Sequence, residues 1–175
     1  ERALLTLLKD GKSPKQAVLA MPRKLLRLYL SAYQSSLFDR LVDMRMASLN
    51  KIWPGDIAFK HANGACFAVT DPAAEQRRAD TFEISATAPL YGCKTRLAEA
   101  QAGLLEESLL DKEELTLQSF RLSGGLTMEG ERRPLRVPIH AAACSTDAND
   151  LVLSFSLPKG SFATTVLAEV MKTAP

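Results

Sequence analysis

LVLSFSLPKGSFATTVLAEVM, residues 151–171, reads as a strand, a tight turn and a helix. Leu151, Leu153, Phe155 and Leu157 alternate with Val152, Ser154 and Ser156, the period-two pattern of a half-buried strand. Pro158 cannot donate to a ladder and Gly160 permits positive φ, so the strand is expected to stop at Pro158-Lys159-Gly160. Ser161 then stands as the N-cap of a helix over 162–172. Phe162 would sit in the first turn, beside free backbone N–H groups and the cationic Lys159. An aromatic face at a positive helix end can seat a nucleobase and its phosphate. On this stretch alone, a plain core role for Phe162 is the commoner outcome.

The 175 residues are 46% apolar, enough for one domain or two small ones. The net charge is only +2, but it is unevenly spread. Residues 1–27 carry seven cations (Arg2, Lys9, Lys12, Lys15, Arg23, Lys24 and Arg27) against Glu1 and Asp10. Residues 99–114 carry six acids (Glu99, Glu106, Glu107, Asp111, Glu113 and Glu114) against Lys112. The asymmetry permits an anionic partner, although such runs are more often solvated helix faces. Cys66, Cys93 and Cys144 form no CxxC pair, so neither a disulfide framework nor a zinc site is indicated. A reducing cytoplasm fits best. His61 and His140 lack ligand spacing and read as structural or surface residues. No apolar run approaches the ~20 residues of a membrane span, and no signal-peptide pattern opens the chain. The chain begins without Met, directly in a helical pattern, and reads as a piece of a longer protein.

Along the chain, Ala3, Leu4, Leu7 and Leu8 share a helical face that Gly11 should end. Ser13-Pro14 starts a short helix that stops before Pro22. A long helix over 23–49 carries an apolar stripe of Leu26, Leu30, Tyr33, Leu37, Leu41 and Met44. Small residues at Ser31, Ala32, Ser35 and Ser36 would let another element approach it. Trp53-Pro54-Gly55-Asp56 is a turn, and strands around Ile57 and Phe59 and around Cys66 and Ala68 flank the hairpin signal Asn63-Gly64. Asp71-Pro72 starts a helix carrying Gln76, Arg77 and Arg78. A strand is expected over 82–85 and an ordered loop over 86–92, ATAPLYG. An amphipathic helix follows over 95–110, with Leu97, Leu104, Leu105 and Leu109 inward and its glutamates outward. A short helix over 115–120, a glycine-rich bend at Gly124-Gly125 and Gly130, a strand over 135–139 and a polar turn over 145–150 complete the expectation. Helices, hairpin, helices, strands and helix in that order give an α+β fold.

Gly11-Lys12-Ser13 is not a P-loop, since Thr6 stands where the first glycine belongs. GxSxG, HExxH and GxGxxG are absent, and Asp56, Asp71 and Asp147 read as turn or cap residues. Residue by residue, no catalytic constellation emerges.

Four stretches nevertheless resemble, in order and spacing, the TruD family of tRNA pseudouridine synthases. They are LSAYQSSLFDRLV at 30–42, PGDIAF at 54–59, ATAPLYG at 86–92 with GERRPLRV at 130–137, and LPKGSFATTVLAEVM at 157–171. Gly160-Ser161-Phe162-Ala163-Thr164 is the most specific part. The resemblance implies isomerisation of a uridine in the D-arm of tRNA, without cofactor or metal. It implies that Phe162 lines the uridine pocket, with Gly160, Ser161 and Lys159 beside it. Arg132, Arg133, Arg136, Arg77 and Arg78 become expected phosphate contacts, with the N-terminal cations secondary. It further implies a TRUD insertion domain over 28–138, flanked by 1–27 and 139–175 from the catalytic fold. The family's Gly-Leu-Lys-Asp-type motif, which holds the nucleophilic aspartate, and its Asn-Tyr-Phe-Gly motif are both missing. Leu8-Lys9-Asp10-Gly11 lies at a helix end and does not replace the first, so Asp10 reads as a surface residue.

The chain therefore reads as the C-terminal half of the enzyme, inactive alone, with flanks less stable than the middle and able to self-associate. The rival reading is a non-catalytic RNA-binding or interaction module related to the inserted domain.

Overall fold

A computed structural model describes residues 2–148 and 150–172, residue 3 by its backbone only. Three helices open it. α1 (Arg2–Lys9) half-buries Leu4 and Leu7, and the chain turns away at Gly11, φ 80°. The expected inward position of the Ala3 side chain lies outside the described residues. α2 (Pro14–Leu19) carries a full capping box: Gln16 N–H donates to Ser13 Oγ and Ser13 N–H to Gln16 Oε1. α3 (Arg23–Met44) buries Leu26, Gln34, Leu37 and Leu41, while Tyr33 and Met44 stay exposed. It stops short of residue 49, giving way to a 3₁₀ turn over Met46–Ser48.

The hairpin forms as its Asn-Gly signal requires. β1 (Ile57–Lys60) pairs antiparallel with β2 (Cys66–Ala68), and Gly64 N–H closes the turn onto Lys60 O at 2.8 Å. α4 (Pro72–Asp80) starts at Asp71, whose carboxylate accepts from the N–H groups of Ala73 and Ala74. The expected loop over 86–92 is instead mostly strand. β3 (Ile84–Leu90) runs through the middle of the sheet, buried at Ile84 to Pro89. β4 (Glu131–Pro134) pairs beside it, giving the order β2-β1-β3-β4, all antiparallel. The strand expected over 135–139 thus lies earlier, over the arginines, and Pro138 follows where the chain has left the sheet.

Geometry explains how two prolines fit this sheet. Leu135 N–H donates to Ala86 O, which fixes Thr87/Pro134 and Pro89/Arg132 as the non-hydrogen-bonded pairs of the β3–β4 ladder. A proline nitrogen at such a position points away from its partner strand. For Pro89 it points to the side where β1 pairing has already ended at Ala86, and for Pro134 to the open edge. No ladder bond is lost at either.

α5 (Ala100–Lys112) starts later than expected and with a different facing. Leu104 is 68% exposed, whereas Glu106, read as outward, is 3% exposed. A 3₁₀ turn over Leu117–Phe120 follows. The core packs Leu37 and Leu41 of α3, Leu109 and Leu110 of α5, Phe120 and Leu135 against Ala58, Ile84, Ala86, Ala88 and Tyr91. β5 (His140–Asp147) and β6 (Asp150–Ser156) form a separate antiparallel pair, so most of the expected polar turn over 145–150 is strand, and its residue 149 lies outside the described residues. α6 (Ala163–Met171) closes the described chain.

The turn 53–56 is fastened from beneath. Asp56, fully buried, accepts from Arg45 Nη1 at 2.6 Å, Arg45 Nη2 at 3.1 Å and Trp53 N–H at 2.7 Å. The Arg45 guanidinium also lies 4.1 Å over the Trp53 ring. Gly55, φ 84°, faces Glu99 O so closely that a Cβ there would stand 1.8 Å from it. Removing one member of a buried pair strands the other charge. Asp56→Ala is therefore expected to cost about 3–5 kcal/mol, read as a lower urea midpoint at unchanged m.

Candidate functional site

Residues 158–161 form a four-residue turn closed by Ser161 N–H on Pro158 O at 3.1 Å. Gly160 sits third with φ 90°, the left-handed position that a type II turn reserves for glycine. The helix begins one residue later than expected. Phe162, not Ser161, is the N-cap of α6, with extended backbone (φ −100°, ψ 114°) and no side-chain cap. A phenyl ring cannot accept the first-turn N–H groups; that of Thr165 bonds Phe162 O at 3.2 Å, while those of Ala163 and Thr164 have no partner among the described residues. The ring itself is 71% exposed, which removes the core reading in this chain. Lys159 is exposed and has no ion pair among the described residues. Phe162, Gly160, Ser161 and Lys159 thus share one projecting turn.

The environments of the five arginines differ. Arg132, expected as a phosphate contact, is instead engaged within the fold. Its Nη1 and Nη2 bond Glu106 Oε2 and Oε1 at 2.9 and 2.8 Å. They also bond Arg96 O at 3.2 Å and Thr87 O at 2.8 Å, and Nε bonds Thr87 Oγ1 at 2.9 Å. All five N–H donors of the guanidinium are spent inside the fold. Arg78 is held between Glu75 and Glu83, each at 2.6 Å, leaving no surplus charge. Arg133 has Glu131 at 3.4 Å and is 38% exposed. Arg77 is exposed, with no ion pair among the described residues.

Arg136 is a different case. Its guanidinium lies 4.1 Å over the ring of Phe82 and donates to Ala79 O, while Nε is buried without a partner. Burial lowers its pKa, against the raising field of Asp80. Phe82 occupies the residue after the α4 cap, where its N–H bonds Ala79 O and that of Glu83 bonds Arg78 O. This is a Schellman stop, which normally places glycine where Phe82 stands. Phe82 has φ 57°, a left-handed conformation that costs a side-chain-bearing residue roughly 1–2 kcal/mol. Next to it His61 lies 6.3 Å away, centroid to centroid, with Nε2 sharing a 2.8 Å hydrogen bond with Ser85 Oγ. Sequence reasoning read Phe82 only as the start of a strand; the one available signal was a helix stop without a glycine.

Elsewhere, an apolar groove of about 990 Å³ runs between the N-terminal helices and residues 121–126, lined by Leu4, Val18, Leu26, Tyr29, Leu122 and Leu126. Neither the turn residues 159–162 nor the five arginines line it. Among the described residues no three His, Cys, Asp or Glu converge as metal ligands, and no helix is long and apolar enough to cross a membrane.

With this geometry in view, comparison with known proteins is informative. The family described as tRNA pseudouridine synthase D (TruD) matches residues 1–170. The tRNA pseudouridine synthase D of Syntrophotalea carbinolica is 65% identical over 173 residues, covering 99% of this chain and 44% of that protein. That of Thermus thermophilus is 43% identical over 148 residues, 83% of this chain and 40% of the relative. The crystal structure of the Methanosarcina mazei protein assigned as TruD superposes with TM-score 0.81 at 28% identity, covering 100% of this chain and 45% of that one. The chain thus spans under half the length of these relatives.

Two measurements check the site as built. Arg132→Ala should cost about 3–5 kcal/mol, because Glu106 is left buried and unpaired. The variant should leave unchanged the salt slope of any nucleic-acid binding, since no donor of Arg132 is free for phosphate. For His61, burial first, then Arg136 and His140, push the pKa below the ordinary value. The folded state then resists a proton that the unfolded chain accepts near pH ~6.5. This histidine's contribution is complete above about pH 6.5 and shrinks as pH falls, until the depressed folded-state pKa is passed. Urea midpoints taken between about pH 7.5 and about pH 5 should fall further in the wild type than in His61→Gln.

Proposed function

This chain belongs to the TruD family of tRNA pseudouridine synthases, and on that footing we propose that it serves as the C-terminal part of an enzyme converting a uridine in the D-arm of tRNA into pseudouridine. The observation that carries the proposal is Phe162, an exposed ring at an uncapped helix start within the Gly160-Ser161-Phe162-Ala163-Thr164 turn. The reaction trades the C1′–N1 bond for a C1′–C5 bond and releases the C5 proton. No electrons enter or leave, so the chemistry needs no redox cofactor. A carboxylate must open it, and the motif that supplies one in the family is not found in residues 1–175. The target base must first leave its stack, at a cost of a few kcal/mol that an aromatic surface helps to offset. Phe162 is that surface, and Lys159 with the open N–H groups of α6 faces the adjoining phosphate. Arg77 and Arg133 retain charge for the RNA backbone further out.

The core supports a division of labour. Its members run from Leu37 to Leu135, so the proposed 28–138 domain has its own interior, while 1–27 and 139–175 would complete the catalytic fold. Such an enzyme works where its tRNA is, in the cytoplasm.

The test is tritium release from tRNA labelled at uridine C5. The intact protein should release it, Phe162→Ala should lower kcat/KM about tenfold or more, and residues 1–175 alone should release none. Turnover by residues 1–175 alone, or an intact Phe162→Ala variant as fast as wild type, would sink this assignment.

A further inference from the structure

Phe82, Arg136 and His61 form a cluster at the end of α4, built from none of the uridine-turn residues. Phe82 holds a left-handed backbone at a place where glycine would be comfortable, and its residue is 36% exposed. Strain kept at a surface aromatic is a reason to look for a role, since a core role would have sealed the ring. The Arg136 guanidinium carbon stands 4.1 Å from the centre of that ring, with one protein hydrogen bond and no carboxylate within 4 Å among the described residues. The nearest acids are engaged elsewhere or weak in effect: Glu83 is bound by Arg78, and Asp80 accepts from Gln76 Nε2 at 2.7 Å. His61, whose pKa is lowered by burial first and then by Arg136 and His140, lies 6.3 Å from the ring, centroid to centroid, and is fixed by Ser85. Lys60, next in the chain, adds positive charge near Phe67, 5.1 Å from its ring.

We propose that this cluster is a second nucleotide platform, which takes one unstacked nucleotide of the RNA with its base against Phe82 and its phosphate at the free edge of Arg136. The inference rests on the RNA reading given above, but on residues that reading does not use for the reacting base. A ring with an adjoining guanidinium is the arrangement with which proteins hold single-stranded nucleotides regardless of sequence. His61 adjoins Phe82 and positions it by contact.

The experiment uses the intact protein and a fluorescein-labelled, unmodified tRNA transcript, with anisotropy read over a range of salt. Phe82→Gly is the decisive variant, because glycine suits the left-handed stop and the fold should melt at or above the wild-type temperature. Its tRNA affinity should nonetheless fall about 5- to 20-fold with the salt slope unchanged. Arg136→Gln should lessen the slope by about 0.7–0.9, the loss of one phosphate contact. Phe82→Gly binding as tightly as wild type would overturn the platform. So would Arg136→Gln lowering the melting temperature at an unchanged slope, since Arg136 would then serve a protein contact. If wild-type protein does not bind tRNA at all, the RNA reading falls and takes this one with it. If wild type binds and releases tritium while both variants bind normally, only the platform is lost.

Discussion

A single guanidinium holds the layers of this fold in register. Arg132 of β4 reaches across β3 to Glu106 of α5, and its five donors end on Glu106, Thr87 and Arg96. Glu106 Oε2 also accepts from Ala98 N–H at 2.8 Å, so the carboxylate fastens the loop that leads into its own helix. The network continues through Tyr91, whose hydroxyl donates to Glu106 O and whose carbonyl accepts from Gln34 Nε2 of α3. Burying two opposite charges is costly, and it is tolerable here because nearly every polar atom in the group has a partner. Sheet, both long helices and the 91–98 loop therefore cannot shift independently.

That same network marks where sequence reasoning reached its limit. Most signals that act over three or four residues were legible, the Ser161 cap being the exception. The Ser13-Pro14 helix start, the Asp71 cap before Pro72, the Asn63-Gly64 hairpin and the Gly160 turn all depend on atoms close along the chain. Errors arose where a distant partner changes what a residue means. Glu106 stands in an acidic run and would face water, were it not for Arg132 arriving from 26 positions away. Pro89 argues against a strand until the pairing register shows its nitrogen facing a vacated side. Phe162 was placed correctly on the turn, though one position inside its helix, because Ser161 looked the better cap. Phe82, read as the start of a strand over 82–85, instead closes the α4 stop in a left-handed conformation, and the strand begins at Ile84.

The charge pattern carries a related lesson. Of the five arginines that the family resemblance offers as RNA contacts, Arg132 and Arg78 are neutralised by carboxylates, and one face of Arg136 is taken by an aromatic ring. What remains for a polyanion is sparse: Arg77, Arg133, the free edge of Arg136 and Lys159, with the cations of the first helices. A surface of this kind offers a few fixed points of attachment rather than a broad positive field, which favours recognition by shape over indiscriminate attraction.

The two prolines of the sheet have one more effect. β2, at one border, is only three residues long; at the other, β4 turns a nitrogen without hydrogen outward at Pro134. Pro89 leaves a similar gap on the free flank of β3. An unfamiliar strand approaching any of these borders would find too few donors to dock, so the sheet is self-limiting. Proteins full of exposed strand edges tend to polymerise; the four-stranded sheet carries its own terminators.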